Sequence, residues 1–240
     1  MGAKSGDAGQ AGQEKLKEAV GRAGADMVRD GDVVGLGTGS TTRYAIERLG
    51  ERVREGVRIR GIPTSIESER LARKCRIPLI ALNEAGAIDI TIDGADEVDP
   101  RLDLIKGLGG ALLREKIVAS ATRNEVIVVD GSKMVARLGT KAPVPVEVVP
   151  YGHALTARRL AQLGCEPALR MAKDSGSPYI TDNANFIYDC RFPGIADSKA
   201  LEARIDAIPG VVESGLFIGM ANVVITASGD GLEVKRRAVG

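Results

Sequence analysis

Apolar positions change period several times along this chain, and each change marks an element. Leu16, Ala19, Val20, Ala23, Met27 and Val28 recur at steps of three and four, the spacing of one helical face. Asp30-Gly31-Asp32 closes that helix, and Val33-Val34-Gly35-Leu36 is a short apolar run that suits a buried strand. A turn over 37–42 leads into a second helix through Tyr44, Ile46 and Leu49. The alternation continues with a strand over 57–62, a helix over 66–75 and a short strand over 77–82. A strand over 87–92 ends at Asp93, a helix follows over 111–122, and residues 125–130 (EVIVVD) form a β-branched buried strand. Strands alternating with helices in this way predict an α/β fold, a mostly parallel Rossmann-like sheet flanked by helices.

The pattern breaks near Gly139. The segment TKAPVPVEVVP (140–150) holds three prolines in eleven residues and reads as an extended crossing between domains. Beyond it the periodicity predicts a helix over 154–163, strands near 178–181 and 185–189, and a helix over 198–207. That order suits an inserted, smaller α+β lid domain. The apolar runs 216–219 and 223–227 then return to the first sheet. The expected organisation is a disordered, small and polar leader over 1–13, an α/β domain from 14–140 and 215–240, and the insert over 141–214.

Composition narrows the function classes. Lys and Arg total 33 against 32 acidic residues, a formal net charge of +1, without the basic excess that nucleic-acid binding demands. With no Trp, 3 Phe and 4 Tyr there is little to stack bases on. No apolar run approaches the roughly 20 residues that span a bilayer, so no membrane partner is expected. The start, MGAKSGDAGQAGQ, lacks the apolar stretch of a signal peptide. Cys75, Cys165 and Cys190 lack metal-like spacing and suit a reducing compartment, so a cytoplasmic protein is expected. The single histidine, His153, disfavours zinc sites and Ser-His-Asp arrangements and reads as structural or surface. Carboxylates, lysines and backbone amides are left to carry any chemistry.

Three segments offer those groups. Gly35-Leu36-Gly37-Thr38-Gly39-Ser40-Thr41-Thr42 lies between a strand and a helix, where glycines admit an anion and a helix start offers free N–H groups. It lacks the third glycine of a dinucleotide fingerprint and the Gly-Lys-Ser/Thr of a P-loop. Asp93-Gly94-Ala95-Asp96-Glu97-Val98-Asp99 follows a strand, at the carboxyl end where α/β sheets bind ligands. Its order of acids does not make a calcium loop, and no metal is expected. Lys106-Gly107-Leu108-Gly109-Gly110 opens a second helix containing Glu115, which shares a stripe with Ala111 and Ala119. Small neighbours let that helix pack closely, and a desolvated carboxyl is lifted toward the range in which it shuttles protons at neutral pH. The plain alternative is a surface glutamate between Arg114 and Lys116. Lys133, after Asp130-Gly131-Ser132, sits at another strand end, and Lys17 lies on the first helix.

Taken in order, GLGTGSTT, DGADEVD and KGLGGALLREK, with DGSK, PVPVEVVP and IDAIPGVVESGLF downstream, resemble the ribose 5-phosphate isomerase A family. Leu108 stands where many relatives carry glycine, a change that a loop using its amide tolerates. The resemblance implies interconversion of ribose 5-phosphate and ribulose 5-phosphate, part of the non-oxidative pentose phosphate pathway, without cofactor or metal, by a dimer or tetramer. It implies substrate binding by Thr38, Gly39, Ser40 and Thr41, by Asp93, Gly94, Ala95 and Asp96, by Lys106, Gly107, Leu108 and Gly109, and by Lys133. It makes Glu115 the general base and gives Asp93, Asp96 and Lys106 catalytic parts, with Asp93 ahead of Asp96 for ring opening. Which loop holds the phosphate stays open. A hydrolase, deaminase or coenzyme A transferase would need a histidine network or a glutamate nucleophile in another loop. A sugar-phosphate sensor would add a basic helix pair.

Overall fold

The computed structural model describes residues 5–229 and 231–238. Contacts divide the chain into two units, the first comprising 1–94, 118–133 and 222–240 and the second 95–117 and 134–221. In chain order come α1 (Ser5–Asp26), β1 (Val33–Leu36), α2 (Thr42–Arg54), β2 (Arg60–Pro63), α3 (Ile66–Lys74) and β3 (Ile90–Asp93). Then follow β4 (Glu97–Val98), β5 (Leu104–Ile105), α4 (Leu112–Ser120) and β6 (Glu125–Asp130). The longest stretch of the second unit carries β7 (Val144–Val148), α5 (His153–Ala161), β8 (Glu166–Leu169), β9 (Phe186–Arg191) and α6 (Ser198–Asp206). β10 (Val211–Ser214) and β11 (Leu216–Phe217) end it, and β12 (Val223–Ser228) and β13 (Gly231–Arg236) belong to the first unit.

In the first unit the strands form one sheet in the order β13-β12-β6-β3-β1-β2, parallel throughout except for the β12–β13 hairpin. Every residue of β1, β3 and β6 is buried, the signature of strands covered on both faces. Leu36, Ile92, Val126, Val128 and Ile225 share one core with Val20, Ala25 and Val28 of the α1 region and Ile46 and Leu49 of α2. In the second unit a four-stranded antiparallel sheet runs β10-β7-β9-β8, and β11-β5-β4 make a three-stranded one. Val144, Val146 and Val148 pack with Leu160 of α5 and Leu201 and Ile205 of α6. Among the described residues no helix is long and apolar enough to cross a membrane.

The mostly parallel α/β sheet and the separate α+β sheet match the expected fold class, but several elements differ. Residues 5–13, expected as a disordered leader, are the first turns of α1. Once a helix is nucleated, each added residue gains a hydrogen bond at little further cost. Residues 1–4 lie outside the described ones. The segment 77–82 makes a single bridge, Gly61 to Leu79, rather than a strand, since Pro78 has no N–H to give the ladder. Residues 178–181 likewise make one bridge, Met171 to Pro178, and the strand that pairs with β9 is instead β8, at Glu166–Leu169. TKAPVPVEVVP contains β7, flanked by β10 and β9. Pro145 is accommodated because its carbonyl still accepts the Gly215 N–H at 2.7 Å. Leu216 and Phe217 pair with β5 and do not rejoin the large sheet. The expected insert, 141–214, lies wholly in the second unit, which also takes in 95–117, 134–140 and 215–221.

Glu97, one of the acids after β3, is fully buried in β4. Its carboxylate accepts the N–H groups of Gly139, Lys141 and Ala142 at 2.6, 2.5 and 2.6 Å. It therefore organises the approach to β7. Asp99 similarly accepts the Arg101 and Asp103 N–H groups, at 2.8 and 2.9 Å. Replacing Glu97 with Ala orphans two buried donors and a part-buried third and should cost about 3 kcal/mol. Glu97→Gln, which keeps an acceptor, should lose less. Urea denaturation of both variants checks this, and an unchanged Glu97→Ala midpoint would refute it.

Candidate active site

The two units bring different candidate residues to order, and each set is built by its own local logic. In the first unit β1 and β3 run parallel, and both end at their carboxyl edge in candidate residues. The Gly37 N–H continues the ladder to the Ile92 carbonyl at 3.0 Å. A Cβ at Gly37 would lie 2.3 Å from an Asp93 carboxylate oxygen, so only glycine lets β1 pass so close to that carboxylate. Asp93 is 1% exposed, and its Oδ1 accepts the N–H groups of Thr38 and Gly94 at 3.3 and 2.7 Å. The Thr38 hydroxyl meets those of Thr64 and Ser65, both at 2.8 Å. The Thr42 hydroxyl donates back to the Gly39 carbonyl at 2.9 Å. Gly39 and Ser40 are exposed, and Thr41 stands at the N-cap of α2 without a side-chain cap bond. The turn thus presents hydroxyls and amides at a helix start, a donor set for an anion.

Lys133 ends a short helical turn after β6 and is half-buried. Lys17 is paired with Glu14 at 2.8 Å on its own helix. His153 belongs to the second unit, where its Nδ1 lies 2.8 Å from the Tyr188 hydroxyl and its ring stands edge-on to Phe186. It serves as packing there.

In the second unit the decisive feature is an ion pair. Lys106 Nζ lies 3.1 Å from Glu115 Oε2, with the side chains only 3% and 5% exposed. Opposite charges so thoroughly removed from water persist only because each offsets the other's desolvation. The Lys106 backbone is fixed by its N–H bond to the Gly215 carbonyl at 2.9 Å, and its ammonium lies 5.2 Å from the Phe217 ring centre. Asp96 Oδ2 accepts the Leu108 N–H at 2.9 Å, tying the acidic segment to the glycine loop. Gly110 has φ +85°, and a Cβ there would meet the Tyr179 hydroxyl at 2.3 Å, so this turn too requires glycine.

Glu115 is not a surface residue between two solvated cations. Arg114 donates to the Asn183 side chain and the Asp182 carbonyl at 3.0 and 2.9 Å. Lys116 reaches Glu202 and Glu213 at 3.1 and 2.8 Å, with its ammonium 5.0 Å from the Phe217 ring. Each flanking cation is anchored to a segment remote in sequence, and this sets the rotation of α4 that points Glu115 at Lys106. The small stripe is real, since Ala111 and Ala119 are both buried. Sequence reading missed Phe217, Glu202, Glu213 and the 181–185 turn as parts of this arrangement. The only local signal for them was the pair of cations on either side of Glu115.

Among the described residues no group of three or more His, Cys, Asp or Glu is placed to hold a metal ion. The geometry supplies a buried carboxylate able to accept a proton, a lysine beside it able to stabilise a developing oxyanion, and a separate hydroxyl-rich turn able to bind an anion.

Comparison with known proteins shows the family to which the chain belongs. The family model described as ribose 5-phosphate isomerase A (phosphoriboisomerase A) matches residues 60–231. The ribose-5-phosphate isomerase A of Gloeobacter violaceus is 54% identical over 220 residues, covering 91% of this chain and 95% of its own. The solved ribose 5-phosphate isomerase A of Methanocaldococcus jannaschii superposes with a TM-score of 0.90 at 43% identity, covering 93% of this chain and 99% of that one. A D-ribose-5-phosphate isomerase solved in complex with phospho-erythronic acid gives a TM-score of 0.91 at 41% identity, with 93% and 99% coverage.

The acids around Lys116 yield a pH prediction. Burial holds the Glu202 carboxyl above its ordinary range against the pull of Lys116, and burial does the same for Asp206, reinforced by Glu213. A carboxyl raised in the folded state is most favourable to folding below its unfolded pKa, and that contribution is lost as pH rises through the folded value. Lys116→Met removes the cation that restrains the shift. Its denaturation midpoint should therefore fall more steeply than that of the unmodified protein as pH rises above the ordinary carboxyl range, about 4. Parallel midpoint curves would show that Lys116 does not neutralise these acids.

Proposed function

We propose that this chain, which belongs to the ribose 5-phosphate isomerase A family, interconverts D-ribose 5-phosphate and D-ribulose 5-phosphate through an enediolate, with Glu115 as the general base. The observation that carries this reading is the buried Lys106–Glu115 pair, at 3.1 Å, on the motif that matches the family. An aldose–ketose conversion moves a proton between adjacent carbons. One carboxylate serves both carbons when they lie on the same face, so Glu115 removes the proton from C2 and returns it to C1. Negative charge grows on the substrate oxygen as C2 is deprotonated, and the Lys106 ammonium together with the glycine-loop amides is the preorganised positive potential that meets it.

The remaining residues bind and prepare the sugar. In the first unit Thr38, Gly39, Ser40 and Thr41 offer hydroxyl and amide donors, Asp93 accepts a hydroxyl proton during ring opening, and Gly94 and Lys133 contact substrate. In the second unit Ala95, Asp96, Gly107, Leu108 and Gly109 line the substrate, with Asp96 assisting hydroxyl proton movement. No cofactor or metal enters the reaction. Within this reading the protein is a cytoplasmic homodimer acting on a free pentose phosphate, with no nucleic-acid or membrane partner, in the non-oxidative pentose phosphate pathway.

Purified protein should interconvert the two pentose phosphates in the presence of EDTA. Glu115→Gln should lower kcat by about 10²–10⁴, the usual contribution of a general base, with KM little changed. Turnover at the unmodified rate in that variant would remove Glu115 from the role. Activity lost in chelator and restored by a divalent cation would overturn the metal-free reading.

A further inference from the structure

The glycine loop that follows Lys106 is held from a direction that none of its own residues reveals. Arg170, just past the end of β8, points its guanidinium at this loop. Its Nη1 donates to the carbonyls of Gly107 and Leu108 at 3.0 and 3.2 Å. The other edge of the guanidinium faces the Asp189 carboxylate, with Nε donating to Oδ2 at 2.9 Å and Nη2 bonded to Oδ1. The pair is largely buried, with the Arg170 side chain 13% and the Asp189 side chain 24% exposed. Tyr179 lies alongside, its ring centre 5.9 Å from the guanidinium carbon and its N–H bonded to the Arg170 carbonyl at 2.9 Å.

The consequence lies in peptide planarity. In a trans peptide the carbonyl of one residue and the N–H of the next point in opposite directions. A cation gripping the carbonyls of Gly107 and Leu108 therefore turns the N–H groups of Leu108 and Gly109 away from itself. The Leu108 N–H goes to Asp96 Oδ2, while Gly109 is exposed. The Gly107 carbonyl also accepts the Gly110 N–H at 3.0 Å, closing the turn.

We propose that Arg170, locked by Asp189, is a positioning residue that sets the peptide planes of the 107–109 loop, so that the loop presents the Gly109 amide as a ready-made donor to the substrate. This rests on the functional reading above for the identity of the ligand, but the clamp itself is a property of the free protein. Lysine cannot replace it, because a single ammonium does not face a carboxylate and two carbonyls along separate edges of a rigid fork.

The test compares the whole protein with Arg170→Met, Arg170→Lys and Asp189→Asn, by steady-state kinetics on ribose 5-phosphate and by residue-resolved amide exchange without substrate. Arg170→Met should raise KM by about tenfold or more while kcat stays within about threefold, the pattern of lost binding without lost chemistry. Its Leu108 amide should exchange about tenfold faster or more, while amides of the β7–β9 ladder keep their protection. Added guanidinium at millimolar concentration should restore part of the KM. Should Arg170→Met fail to fold, Arg170→Lys and Asp189→Asn carry the same expectation in smaller degree. Unchanged KM and Leu108 exchange would overturn the proposal. So would faster exchange spread evenly over the second unit, which would mark Arg170 as merely structural. If the unmodified protein does not convert ribose 5-phosphate at all, the functional reading falls, while the exchange measurements still decide the clamp.

Discussion

A lysine and a glutamate sealed together away from water impose the strictest condition in this structure. Neither Lys106 nor Glu115 can be buried alone without a heavy desolvation cost, and the pair repays that cost only while its geometry holds. Much of the second unit can be understood as meeting that condition. A helix turns about 100° per residue, so Arg114 and Lys116 leave α4 on either side of Glu115. With one tied to the 182–183 turn and the other to Glu202 and Glu213, the helix has little freedom to rotate. Phe217 stands beside both lysines, its ring face offering each ammonium an electrostatic contact where water is excluded.

The first unit meets a different demand. Its parallel strands are buried on both faces, and polar chemistry is confined to their carboxyl ends, where the ladder stops and loops begin. Asp93 shows how such an end is organised. A buried carboxylate collects the N–H groups of Thr38 and Gly94, and a glycine at 37 makes room for it. The same side chain therefore shapes the hydroxyl-rich turn and is presented by it.

Local pattern carried much of this, and its failures have physical causes. The alternation of strand and helix up to Asp130 was legible because parallel strands read as unbroken apolar runs. The prolines of 140–150 looked like a linker, yet Val144–Val148 is a strand within the second sheet, because Pro145 keeps its acceptor and that acceptor is used. Leu216 and Phe217 were apolar enough to be a strand, but only pairing with Leu104 and Ile105 reveals which sheet they join. The stripe Ala111, Glu115, Ala119 did indicate a closely packed helix. The anchors of Arg114 and Lys116 could not be read locally, since they lie some 68 to 97 residues further along the chain. Arg170 gave no signal at all, being one arginine among many until the fold set it against the glycine loop.

Transfer of isotope between the two carbons tests most directly whether one buried glutamate carries the proton. Ribose 5-phosphate deuterated at C2 is converted in ordinary water, and the ribulose 5-phosphate formed in early turnover is analysed by NMR at C1. A single shielded carboxylate should deliver part of the deuterium to one of the two C1 hydrogen positions and lose the rest to solvent. Label divided between both C1 positions would mean that the hydrogen is not returned on one face, and would contradict Glu115 as the sole carrier of the proton.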